Sequence, residues 1–208
     1  MTIEVFQPNE NPFGLSYEDH IKNFWVFTCR LPKEQNPVID NNGQKDETAN
    51  QNSNAQVFYL NFARDGVSLV ERKCKVPAGK GVFVPAMCVE VSEKEIPNSS
   101  TDALKEIAKK DQDNVKNDLS VKLDGNEVNN LHNFRTSTEV FKLEFPQNAL
   151  FDASPGSCQA VADGYYIITK PLSPGTHTID FKGSLESNGE NIIEPNYSVN
   201  VKYTLEVQ

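Results

Sequence analysis

The chain has 208 residues, enough for one all-β domain with a real core, although only 38% of them are hydrophobic and much polar loop must remain. Its 20 basic and 29 acidic side chains leave a net charge of −9, and no basic stripe offsets that sign, so nucleic acids and anionic membranes are excluded as partners. No apolar run approaches the roughly 18 to 20 residues of a membrane span, which excludes helical membrane insertion.

Residues 1–15 read as an N-terminal arm. It has neither the basic n-region nor the apolar h-region of a signal peptide. That places the protein in the cytoplasm, or outside it if a signal has been removed. Ser16 can cap a helix in which Tyr17, Ile21, Phe24 and Trp25 form one apolar stripe, and the sole tryptophan reads as packing. Residues 40–56 carry no apolar side chain beyond alanine and read as a mobile polar loop. Asp40, Asn42, Gln44 and Asp46 alternate somewhat like a calcium loop, but the glycine is misplaced and Gln51 stands where a bidentate carboxylate is needed.

Strands follow. Val57–Phe62 is apolar on both faces and reads as central; residues 66–76 alternate and place Arg72 with Val70, Cys74 and Val76. A guanidinium on that face requires a carboxylate or carbonyl partner, because it cannot shed its charge. After the turn Pro77-Ala78-Gly79-Lys80, residues 82–91 form a strand that Pro85 assigns to an edge or a bulge. Residues 97–118 depart from the pattern and read as an inserted surface helix, capped by Ser99 or Ser100. Asp124-Gly125-Asn126 signals a turn, Phe141, Leu143 and Phe145 face inward, and Asp163 is explained by an Asx-type turn at a strand entry. From Tyr197 to Val207 every odd position is apolar or aromatic, a period that a half-buried strand satisfies and a helix does not.

Eight to ten strands with regular turn signals predict one domain over 1–208, an all-β antiparallel β-sandwich of jelly-roll or Greek-key type. Four cysteines allow three pairings, and a disulfide between Cys74 and Cys88 is the first candidate because a tight turn lies between them.

Several phrases resemble a widespread group of uncharacterised prokaryotic β-sandwich proteins, many of them exported. They are Arg72-Lys73-Cys74-Lys75-Val76-Pro77-Ala78-Gly79-Lys80-Gly81, Asp163-Gly164-Tyr165-Tyr166 and Leu172-Ser173-Pro174-Gly175-Thr176-His177-Thr178-Ile179. Asp124-Gly125, Phe134-Arg135 and an N-terminal helix with the pair Phe24-Trp25 extend the resemblance over about 16–208. It implies the same fold and carries no established reaction.

No nucleophile elbow, zinc-protease helix, P-loop or dinucleotide fingerprint is present, so no cofactor is expected. His20, His132 and His177 are scattered and lack metal-ligand spacing. The candidate ligand site is Arg72, Lys80, Arg135, Asp163 and His177, which would form a mixed-charge pocket for a small anionic or saccharide ligand if they converge at one end. The expected function is non-enzymatic binding or assembly, in a cell-envelope setting if the chain is exported, with homo-oligomers pairing through sheet edges. A hydrolase or lyase acting on a saccharide or small acid is the alternative, and convergent titratable groups in a pocket would favour it.

Overall fold

The computed structural model describes residues 3–51, 54–63, 68–186 and 197–208. Three helices lie among them: α1 (Tyr17–Cys29), α2 (Gln44–Gln51) and α3 (Thr101–Asp113). The first strands are β1 (Val57–Tyr59), β2 (Val70–Val76), β3 (Gly81–Ser92), β4 (Ser120–Leu123) and β5 (Asn126–Glu127). They are followed by β6 (Arg135–Ser137), β7 (Phe141–Phe145), β8 (Gly156–Ile168), β9 (Gly175–Ser184) and β10 (Ser198–Val207). None of the helices is long and apolar enough to cross a membrane.

The strands form two five-stranded sheets. The first has the order β1-β3-β8-β6, with β7 also on β8; the second has the order β2-β10-β9-β4-β5. One continuous core joins Phe83 and Tyr166 of the first sheet to Phe181, Tyr203 and Leu205 of the second. The alternation of β10 is the alternation of its burial, with Val199, Val201, Tyr203, Leu205 and Val207 all inside. Pro85 sits at a bulge in β3, which spares a central strand the loss of a ladder donor.

The expectation of antiparallel pairing throughout is corrected in two places: β1 runs parallel to β3, and β2 parallel to β10. Between β1 and β3 the chain leaves for β2 in the other sheet and returns, a crossover that re-enters the first sheet in the same direction. Val57–Phe62 is buried but not central. The strand stops at Tyr59 and forms a sheet edge, covered by Phe24 and Phe27 of α1.

The caps read from sequence are in place. Ser16 Oγ accepts the Asp19 N–H at 3.1 Å and Ser100 Oγ accepts that of Ala103 at 3.3 Å. Tyr17, Ile21, Phe24 and Trp25 are buried, each contributing about 1.5–3 kcal/mol by leaving water. Helix α3 docks through Leu104 and Ala108 on Val89, Val91 and Val161.

The mobile polar loop over 40–56 is the larger correction, although Asn52 and Ser53 lie outside the described residues, as do Gly66 and Val67 of the strand read over 66–76. Residues 44–51 are helical, and the inward positions of α2 are Asp46 and Asn50. Its stripe is polar because its buried partners are polar. This segment covers both neighbouring edges. Asn50 donates to Tyr59 O at 2.9 Å and accepts from Tyr59 N at 2.8 Å, as a neighbouring strand would. On the other sheet, Lys73 N donates to Asn42 O at 2.9 Å and Lys75 N to the Glu47 carboxylate at 2.9 Å.

The Cys74–Cys88 bridge is also corrected. Cys74 lies on β2, its thiol 3.2 Å from Gly43 O, whereas Cys88 lies on β3 of the other sheet opposite Gly164. All four cysteines are free and buried.

Candidate functional site

The five residues singled out by sequence occupy separate environments, and only Arg135 and Asp163 meet directly. Arg72 is buried. Its guanidinium donates to Asp40 O at 2.9 Å, to Asn61 O at 2.8 Å and to Tyr203 Oη, with the Asp46 carboxylate at 3.3 Å. Tyr203 Oη donates to Asp46 at 3.0 Å, while Asn61 Nδ2 reaches the same carboxylate at 3.1 Å. Burial pushes the Asp46 carboxyl up to about 7 against the pull of Arg72, Asn61 and Tyr203. Both side chains of the pair are fully covered, so no ligand reaches them. Lys80 ends the 77–80 turn, where partial burial lowers its affinity for a proton.

His177 Nδ1 lies 2.7 Å from Asp124 Oδ2, and Asp124 Oδ1 accepts the Thr178 N–H at 2.8 Å. Nε2 lies 2.9 Å from Ser173 O and 3.4 Å from Ser173 Oγ. Sequence reading missed Ser173 and Asp124 here: Ser173 folds back on His177 from four residues upstream, and Asp124 is brought to it only by the β4–β9 pairing. The result is a serine, a histidine and a carboxylate in series, the relation that nucleophilic catalysis uses.

Asp163 is not in a turn, because β8 runs unbroken through it. The glycine after it serves a close approach: a Cβ on Gly164 would stand 2.4 Å from that of Cys88. Arg135 grips Asp163 with two parallel bonds of 3.0 Å, reaches Asp113 at 2.7 Å and donates to Lys109 O at 3.0 Å. Arg135, Asp163 and Lys109 line a groove of about 500 Å³ between α3 and β6, together with Lys105, Ser137, Thr138 and Glu139. It holds two of the five residues singled out by sequence, Arg135 and Asp163, and carries charges of both signs. Its cations are nevertheless spent on neighbours, Lys105 on Glu139 and Lys109 on Asp113.

A second concavity, of about 280 Å³, is built differently. The β4–β5 hairpin closes through a two-residue turn with Asp124 at φ 49° and Gly125 at φ 75°, the pair of left-handed residues a type I′ turn requires. Asn130, also left-handed, leads into a short 3-10 helix over Leu131–Phe134. The N-terminal arm supplies the far wall, held by Phe6 N on Ile168 O and Lys170 N on Glu4 O, both at 2.9 Å. Leu123, Val128, Phe134, Ile3 and Val5 provide an apolar lining. The amides of Gln7, Asn129, Asn130 and Asn133 stand at the rim and are exposed. None of those four amides bonds to another described residue. Four asparagines within residues 126–133 were the available sequence signal, overlooked because that stretch reads as a turn.

Asp40 and Asp46 do not face a common cation. Asp40 caps Asn42 N at 3.2 Å and Lys45 N at 2.7 Å, while Asp46 faces Arg72. His20 Nε2 lies 2.8 Å from Pro12 O inside the core, and Trp25 Nε1 donates to Tyr166 Oη at 3.1 Å. No protein-family model matches this sequence, and no curated protein matches it.

Proposed function

We propose that this chain is a non-enzymatic binding module, its two sheets a jelly-roll-like sandwich, and that its ligand sits in the amide-rimmed cleft. The observation that carries this is the contrast between committed and uncommitted polar groups. In the α3 groove every cation already has a carboxylate, so a ligand would have to break an existing pair. At the cleft rim, each free carboxamide offers one acceptor and two donors above an apolar lining. Among the described residues Glu127 is the one charged side chain lining it, which disfavours an anionic ligand. Neutral saccharides fit this chemistry, with hydroxyls on the amides and a ring face on the apolar lining. A volume near the lower end of ligand pockets matches a single ring. Export to the cell envelope, as the resembling proteins imply, would bring the cleft to such ligands.

The hydrolase alternative rests on Ser173, His177 and Asp124. Two features weigh against it. Nε2 is nearer to the Ser173 carbonyl than to its hydroxyl, so the ring works as a donor on that side and is not a free base. Pro174 follows the serine and has no N–H to offer an oxyanion. The cluster reads better as a latch tying the 171–176 loop to the hairpin. Titration calorimetry against a panel of neutral sugars and small carboxylic acids tests the binding reading. Binding of a sugar, weakened at least tenfold by Asn133→Ala, is the expected result. Preference for an acid, or covalent labelling of Ser173 by a fluorophosphonate, would reverse the ordering.

A further inference from the structure

The inner face of α3 carries Leu104 and Ala108 and then, one turn on, Asp111 and Gln112, each about 1% exposed. Gln112 Nε2 donates to Asp111 Oδ2 at 3.0 Å. Asp111 Oδ1 and Gln112 Oε1 meet no donor among the described residues. Two buried acceptors with nothing to accept are costly, and a proton on Asp111 turns one of them into a donor. Asp111 also sits in the last turn of α3, where the negative end of the helix dipole disfavours a carboxylate.

We propose that α3 is a proton-operated clamp: with Asp111 protonated the helix is seated on β3 and β8, and loss of that proton loosens its C-terminal half and widens the groove beside it. The charges around Asp111 agree with this. Asp163 of β8 acts on it as a like charge, and Cys88 of β3 and Tyr197, just before β10, lie within its field. On α3 itself Gln112 provides the one bond, and Lys109 is occupied by Asp113. Arg135 of β6 is already taken by Asp163 and Asp113. Burial, opposed by Gln112, raises the Asp111 carboxyl to about 6. A helix that releases it to water returns it to the ordinary range near 4. Closure is therefore strongest below about pH 4 and weakens as pH rises through about 6. The clamp acts whatever the amide-rimmed cleft binds.

Amide hydrogen exchange, expressed as protection factors to remove the intrinsic pH effect, tests it on the whole chain. Residues 108–113 should lose protection about tenfold between pH 5 and pH 7. Asp111→Asn, isosteric and always neutral, should show the same protection at both pH values, while Glu90→Gln, at a separate buried carboxyl, should keep the wild-type dependence. Protection that does not change with pH, or a pH dependence surviving in Asp111→Asn, overturns the proposal. If Asp111→Asn does not fold, a carboxyl-carbon NMR titration decides on the unaltered protein: a midpoint for Asp111 near 4 overturns it, and one near 6 supports it.

Discussion

Arg72 and Asp46 face each other fully covered from solvent, and neither can be removed alone without stranding the other. Asp46→Ala is expected to cost about 3–5 kcal/mol in urea denaturation, because it leaves an uncompensated guanidinium in the core. The double replacement Asp46→Leu with Arg72→Met should recover most of that loss, since both charges leave together. Loss of Asp46 without measurable destabilisation would mean that the carbonyls of Asp40 and Asn61 suffice. The need for a partner was legible in the sequence, where a fixed charge alternates with Val70, Cys74 and Val76. The identity of the partner was not. Asp46 lies in a stretch with no apolar period, and a buried face made of an aspartate and an asparagine looks like a solvated one. His177 teaches the same lesson: its alternation with Ile179 and Phe181 marked it as inward, but only the fold brings Asp124 and Ser173 to its two nitrogens.

Helices α1 and α3 were readable because a serine cap and an apolar stripe agree with each other, whereas α2 offers neither. What α2 offers instead is edge protection. Asn50 occupies the hydrogen-bonding edge of β1, where a strand from another molecule would otherwise add. Asn50→Ala should cost about 1–3 kcal/mol for the carbonyl and amide left unpaired. The same variant should self-associate more readily by light scattering than the parent at equal concentration. If it stays as soluble as the parent, the rest of α2 shields the edge unaided. At the start of α3, Ser100→Ala should cost about 1 kcal/mol in thermal denaturation through loss of the bond to Ala103 N. Parallel pairing of β2 with β10 escaped the sequence because a period of two reports burial of a strand and not its direction.

The molecule as a whole should be most stable on the acid side of neutrality. Burial raises Asp111 to about 6, and it raises Glu90 and Glu95 as well. Carboxyls of this kind add stability below their unfolded values near 4 and lose it as pH climbs through their folded values. The exposed carboxylates of Glu4, Asp113 and Glu206, lowered chiefly by hydrogen bonds to lysines, oppose this only at more acid pH, and solvent weakens them. Calorimetry should therefore give a Tm at pH 5 on the order of 5–10 °C above that at pH 7.5. A Tm that rises steadily to pH 8 would contradict the assignment. Reducing agent should leave the Tm unchanged, since all four thiols are free. The last strand carries a further consequence. Because β10 lies between β2 and β9, and Gln208 exchanges bonds with Val76 and Ala78, the second sheet has no middle until residues 198–207 have left the ribosome. Until then β2 has no strand beside it while β9 already pairs with β4, so a chain lacking residues 198–207 would leave a three-stranded sheet and a lone strand, not a sheet one strand narrower.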